Sequence, residues 1–276
     1  MAAPPSPGPD DDLLNLAVGK FAPLSEAEQK LLRAAPKGEV AVCGPNFDEK
    51  DTENDPAKAE SWGEKREIRA ELLRWLCVDR RARELVDPKG IWVHAAKISG
   101  KLDLSFVAVP FPLILIRCRV VEDADLSNVE IPALSLNGSW VRGIEADGAR
   151  VKGGLFLRDG FHAAEGVRLL GAEIGGSLEC DGSTFKNPAQ KDVPGIGFAL
   201  SADTIRITGS VFLSDGFSSE GGAITGCRDW WRSPVCARHV QEPGAERCSR
   251  QRQGADCRRN EGERRRLSQR WIQRGG

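Results

Sequence analysis

The sequence predicts an all-β protein: a right-handed parallel β-helix with an α-helical cap at its start and a disordered tail at its end. Three observations carry this reading. From Ile91 onward apolar and polar residues alternate at period two. The same short string then returns several times along the chain. Finally, 30 Gly, no Tyr and only 6% aromatics in 276 residues favour many tight turns over a helical bundle.

The string is first seen at Ala96, Ile98, Gly100, Leu102 and Leu104, which alternate with Lys97, Ser99, Lys101, Asp103 and Ser105. It recurs at Ala149, Val151, Gly153, Leu155, Leu157, then at Ala172, Ile174, Gly176, Leu178, Cys180. A further copy is Ile205, Ile207, Gly209, Val211, Leu213, and weaker ones hold Leu134 with Leu136 and Ile144 with Ala146. Gly153 to Gly176 is 23 residues, close to one coil. Gly176 to Gly209 is longer by ten, which fits an inserted loop at 187–197. A β-sandwich also has short strands and turns, but it does not repeat one string. Each coil cannot bury its inward side chains alone, whereas stacked coils share one continuous core.

The elements follow in order. Residues 1–24 are Pro-rich and acidic and read as disordered. Ser25-Glu26-Ala27-Glu28 has capping-box spacing and opens a helix through Leu31 and Leu32. Residues 36–60 read as loop. Ser61-Trp62-Gly63-Glu64 repeats the capping-box pattern before a helix with Ile68, Leu72, Trp75 and Leu76 on one face. That face is expected to cover the open first coil, and Asp87-Pro88-Lys89-Gly90 ends the helical region. The expected divisions are 25–90 for the cap, 91–222 for the repeats and 223–276 for the tail.

Hydrophobic residues make up 40% and charged residues 29%, so most of the chain should be globular. The net charge of -1 gives no global signature for specific nucleic-acid binding. It hides an asymmetry: residues 223–276 hold 13 Arg, no Lys and 6 acids, about +7, against about -8 for the rest. The N-terminus has neither the basic nor the apolar region of a signal peptide. The longest apolar run, 106–116, is broken by Pro110 and Pro112 and is too short to cross a bilayer. Eight Cys, four spread singly and four crowded in the tail, form no disulfide framework. The expected location is cytoplasmic, or peripheral to a membrane, with reduced thiols.

Leu102-Asp103-Leu104-Ser105-Phe106 and Ala124-Asp125-Leu126-Ser127-Asn128 resemble pentapeptide repeats. The longer string Leu155-Phe156-Leu157-Arg158-Asp159-Gly160-Phe161, with 167–176 and Cys180-Asp181-Gly182, is similar to a family of bacterial repeat proteins. Its members are labelled uncharacterised or membrane-associated oxidoreductase. The resemblance covers 61–222 and implies a β-helix started by helices. The residues themselves offer no support for the oxidoreductase label.

After Gly222 the repeats stop. The copy at Asp159-Gly160-Phe161 is followed by Glu165-Gly166 and then Val-Arg-Leu-Leu-Gly-Ala-Glu-Ile-Gly-Gly at 167–176. The later copy, Asp215-Gly216-Phe217, reaches Glu220-Gly221 and the match then fails. One extra nucleotide near Gly222 explains the failure. Joining the last two bases of each codon to the first base of the next allows the same ten residues from Gly222 onward. Trp230 and Trp231 have the single codon TGG, so two Gly are forced, opposite Gly175 and Gly176. Residues 239–245 likewise allow Thr-Phe-Lys-Asn-Pro-Ala-Gln, the sequence of 184–190, at a constant offset of 55. Of the 24 positions in 222–245, only the counterparts of Ser177, Glu179, Asp181, Gly182 and Ser183 are not recovered. The tail therefore reads as out-of-frame coding sequence.

That reading removes two motifs. Cys236-x-x-His239 with Cys227, Cys248 and Cys257 fits no compact zinc spacing, so no metal is expected. Arg264-Arg265-Arg266 would bind polyanions only non-specifically. Within the repeats, His94 reads as a wall residue rather than a base, and His162 as a surface residue. There is no GxSxG, Walker A or CxxC motif, and Gly153-Gly154 and Gly175-Gly176 open no helix, so no cofactor is expected. Asp159 and Asp215 recur at matching places and could form a carboxylate ladder; the plainer reading is Asp at a turn before Gly. Cys118 and Cys180 read as small inward-facing hydrophobes. No catalytic residue is identified. A non-enzymatic scaffold for a protein or membrane-surface partner is favoured, with a β-helix enzyme, carbohydrate-active or the oxidoreductase of the label, as the alternative.

Overall fold

A computed structural model describes residues 9–48, 50–187 and 199–220. Its strands are short and parallel and form four sheets, an arrangement consistent with a parallel β-helix. Sheet 1 runs from Val40–Val42 through Ile91–His94, Leu113–Ile116, Leu134–Ser135, Leu155–Phe156 and Leu178–Glu179 to Val211–Phe212. Sheet 2 runs from Glu67–Arg69 through Lys97–Ser99, Arg119–Val120, Trp140–Val141, His162–Ala163 and Thr184–Lys186 to Ser218–Glu220. Sheet 3 starts at Leu102–Asp103 and ends at Leu200–Ser201; sheet 4 starts at Glu130–Ile131 and ends at Arg206–Ile207. The chain visits sheets 1, 2, 3 and 4 in turn and then pairs on its own previous round, as Leu134, Leu155, Leu178 and Val211 do. The ten extra residues fall between Thr184–Lys186 and Leu200–Ser201, both paired in ordinary register.

The corners repeat as regularly as the strands. Ala95, Arg117, Gly138, Asp159, Gly182 and Asp215, stacked between sheets 1 and 2, all have φ between 50° and 67°. Phe106, Asn128, Gly148, Gly171 and Thr204 do the same between sheets 3 and 4. A left-handed residue at each corner, followed at Asp159 and Asp215 by a second positive-φ residue, turns the chain without breaking the pairing on either side. Between sheets 4 and 1, Gly153, Gly176 and Gly209 stack by amide-to-carbonyl bonds of 2.8 and 2.9 Å. A Cβ on Gly176 would lie 2.8 Å from the carbonyl carbon of Gly153. Only glycine lets successive coils approach so closely.

Inside, sheet 2 packs large against small. One inward row reads Cys118, Ser139, Phe161, Ser183, Phe217; its neighbour reads Val120, Val141, Ala163, Phe185, Ser219. Each coil thus contributes one bulky and one small side chain, and Phe161, Phe185 and Phe217 pack in a staggered line 5.5 Å apart. The buried Ser139 hydroxyl is satisfied by the Leu115 carbonyl at 3.0 Å.

The cap is larger than the sequence suggests. Helices α1 (Pro9–Phe21), α2 (Glu26–Ala34), α3 (Ala70–Val78) and α4 (Arg80–Glu84) share the core of the coils. The span 1–24, expected to be disordered, contains α1. Leu13, Ala17 and Phe21, four residues apart, form an apolar stripe that is fully buried, with Phe21 edge-on to Trp75 at 5.4 Å. Ser25 forms the expected capping box with Glu28. The second one fails: Gly63, with φ +64°, starts a 3-10 turn at Glu64–Arg66 whose cap lacks a side-chain bond. Ile68 is therefore not on the helix but in a strand opposite Ile98, while Leu72, Trp75 and Leu76 are buried as expected. The loop read at 36–60 contains the strand Val40–Val42. The parallel pairing consequently begins well before Ile91, within the region assigned to the cap.

Candidate functional site

The sequence singled out few groups, and the structure keeps them apart. Asp159 and Asp215 do not form a ladder, because Gly182 occupies the corner position between them. Their φ values of 60° and 52°, each followed by a positive-φ Gly, fit the turn reading. Cys118 and Cys180 are fully buried, and burial pushes both thiols far above the usual range. The zinc residues and the Arg cluster of the tail lie outside the described residues, as do the frame reading and the order of 223–276. Gly153 and Gly176 serve coil stacking.

His94 is the most unusual group. It alternates with the inward Val93 and so lies on the outer side of sheet 1, yet it is fully buried. The cover is the chain at 43–62: the Cys43 amide donates to the His94 carbonyl at 2.9 Å, and Phe47 packs on the imidazole at 4.8 Å. Among the described residues neither His94 nitrogen has a hydrogen-bond partner, nor do Asn54 Oδ1 and Trp62 Nε1 of the covering segment. Burial, then the cations Arg117 and Arg66, pull the His94 pKa down to about 4. The buried ring is thus neutral near pH 7 and has no neighbouring group hydrogen-bonded to it. The wall reading therefore fits its burial, although its ring is on the outer side.

His162 lies half-buried on the outer face of sheet 2, in a row that the sequence did not single out. Lys97, Arg119, Trp140 and His162 occupy successive coils at one register. The Trp140 and His162 rings stack at 4.6 Å, and the Arg119 guanidinium lies 6.0 Å from the indole. Burial first, then Lys186 and Arg119, lower the His162 pKa, with Glu220 acting against them. The visible signal was a Trp on the polar phase of a strand.

The other outer faces differ. Sheet 3 stacks Asp103, Asp125 and Glu145 in register; Arg74 pairs with Asp103 and Lys101 with Asp125, while Arg168, next to Glu145 in register, pairs with Asp147. Sheet 4 alternates Glu130, Arg150, Glu173 and Arg206, paired at 2.8, 3.9 and 2.8 Å. This ladder lines a shallow groove of about 350 Å³ together with Lys152 and Thr208. Among the described residues no group of three His, Cys, Asp or Glu could hold a metal ion, and no helix is long and apolar enough to cross a membrane. No protein-family model, curated protein or solved structure matches the chain.

Proposed function

We propose that the chain is a non-enzymatic scaffold: a right-handed, pentapeptide-repeat-like β-helix that presents rows of side chains to a macromolecular partner, at a cytoplasmic or membrane-peripheral location. The observation that carries this reading is the segregation of chemistry by face. Sheet 2 shows Lys97, Arg119, Trp140 and His162 in one row, while sheet 3 shows Asp103, Asp125 and Glu145. Rows at the coil spacing of about 4.8 Å form an extended, preorganised surface, which suits recognition of another surface better than a small molecule. The cationic, aromatic row of sheet 2 is the face we assign to docking, because Trp and Arg are the side chains that most often anchor interfaces. The buried thiols, the sealed His94 and the separated Asp159 and Asp215 weigh against an enzyme. The test is an absorbance spectrum of the purified chain between about 350 and 600 nm. A spectrum without bands is expected; the band of a bound flavin or haem would overturn the scaffold reading.

A further inference from the structure

The charges on sheet 4 follow a rule that the charged faces of sheets 2 and 3 do not. Along its outward row, Glu130, Arg150, Glu173 and Arg206 change sign at every coil, each in register with the next. Ala108 precedes Glu130 in register, so the row starts from an uncharged position. On sheet 3 the corresponding row reads Asp103, Asp125, Glu145, Arg168. On sheet 2 it reads Lys97, Arg119, Trp140, His162. Neither alternates.

An alternating row of even length is its own complement when reversed. Consider a two-fold axis in the plane of the face, along the strand direction, midway between the coils of Arg150 and Glu173. It sets a second copy face to face with its coil order inverted. Glu130 then faces Arg206 of the second copy, Arg150 faces Glu173 of the second copy, and the symmetry makes each contact twice. Every side chain of the row meets the opposite charge. The same operation on sheet 3 sets Asp125 against Glu145, and on sheet 2 it makes no ion pair at all. The register on sheet 4 is also defined, because a slip of one coil puts the axis on a residue and sets like charges against like.

Two further features point the same way. Within one chain Arg150 lies 2.8 Å from Glu130 and Arg206 lies 2.8 Å from Glu173, but Arg150 and Glu173 are 3.9 Å apart. The loosest step of the ladder is where the axis falls. The Arg150 and Glu173 side chains are 62% and 47% exposed, so each has room for a second partner. At the next outward position Lys152 is followed one coil later by Gly175, which leaves a notch in the groove of about 350 Å³. Under the two-fold, Lys152 of the second copy lies above Gly175, a long side chain over a missing one. We infer that the sheet 4 face joins two copies of this chain in an isologous, antiparallel dimer held by the charge ladder. Sheet 4 is a different face from the docking row of sheet 2, and its pairing is independent of what docks there.

The test is sedimentation equilibrium of the full chain at about 0.01 M and about 1 M salt, between which the Debye length falls from about 30 Å to about 3 Å. A dimer is expected at low salt, with its dissociation constant raised about tenfold or more at high salt, because exposed ion pairs are screened. Arg150→Glu and Glu173→Arg should each be monomeric at low salt, since each sets like charges against its own copy. Mixed in equal amounts, the two variants should dimerise again, because the acid introduced in one faces the base introduced in the other. A monomeric wild type at low salt, a dimer indifferent to salt or to both reversals, or a mixture that stays monomeric would each overturn the proposal. If a variant fails to fold, the wild-type salt series decides.

Discussion

Glu28 and Arg69 form a two-pronged ion pair that ties the first capped helix to the first strand of sheet 2. Arg69 Nε lies 2.7 Å from Glu28 Oε1, and Nη2 lies 2.7 Å from Oε2. The same carboxylate accepts the Arg69 amide at 3.1 Å and the Ser25 amide at 3.0 Å, so one side chain closes a capping box and bridges about forty residues of sequence. Arg69 also reaches the carbonyls of Phe21 and Pro23, which fixes the end of α1. The cap is therefore held at a polar joint as well as by its buried leucines.

Replacing Glu28 by Ala should cost about 2–4 kcal/mol, since it orphans a forked guanidinium and removes half of a capping box. Burial alone would raise the Glu28 carboxyl, but the Arg69 side chain and the Arg69 and Ser25 amides more than offset it, so its pKa lies below the usual 4.5. For a depressed carboxyl the unfolded chain binds the proton first. The stabilisation is present above about pH 4.5 and is lost as the pH falls below it. Urea unfolding of the wild type and Glu28→Gln should converge in acid; parallel curves down to pH 3 would refute this role.

His94 acts in a different window. Its folded-state pKa is pulled from 6.5 to about 4, again with the unfolded chain binding the proton first. Stability is fully present above pH 6.5 and declines towards pH 4, by up to about 3 kcal/mol. Arg117 and Arg66, the charged groups acting on the ring, are both cations and cannot compensate. Glu28 titrates lower, so the slope between pH 6.5 and 4.5 comes from the two lowered imidazoles, His94 and His162. In His94→Phe that slope should shrink and in the double variant with His162→Phe it should vanish; an unchanged slope in His94→Phe would show that another group is responsible.

The alternation of bulk inside sheet 2 gives a packing test. Phe161 is fully buried between Ser139 and Ser183 in its row, so Phe161→Ala leaves a void and should cost about 3–5 kcal/mol. Ala163 lies directly opposite Phe185, so Ala163→Leu overfills the same layer and should cost about 1–3 kcal/mol. If enlarging Ala163 proved neutral while truncating Phe161 remained costly, the layer would be underfilled.

The period was legible because each coil needs an apolar inward phase, and that phase survives in every copy from Ala96 to Leu213. The insertion was legible for the same reason: it breaks a period without breaking the string. Left-handed corners were visible only where Gly or Asp fills them, at Gly138 or Asp159, and hidden at Ala95, Arg117 and Phe106, where stacking imposes the conformation. The helix at Pro9–Phe21 was masked by its acidic, Pro-rich flank, although Leu13, Ala17 and Phe21 carry the spacing. The sealing of His94 was not legible, since its cover comes from some fifty residues upstream and no local pattern announces it. Nor was the Trp140–His162 stack, which exists only once the coil length sets those positions in register.

The corner glycines separate two costs that a single substitution usually mixes. Gly160 has φ +89° and open space around its missing Cβ, so Gly160→Ala should cost only backbone strain, about 1–2 kcal/mol. Gly176 has no such φ, but its Cβ would meet the carbonyl carbon of Gly153 at 2.8 Å and the amide of Gly154 at 2.9 Å. Both neighbours are backbone and cannot rotate away, so the coils must separate locally and the 2.8 Å bond from the Gly176 amide to the Gly153 carbonyl is lost or stretched. Gly176→Ala should therefore cost about 3 kcal/mol or more and broaden the thermal transition, because the damage falls between coils and uncouples one side of the stack from the other. Calorimetry on the two variants decides the matter: if Gly160→Ala proved the more damaging, corner strain rather than close coil contact would limit this fold.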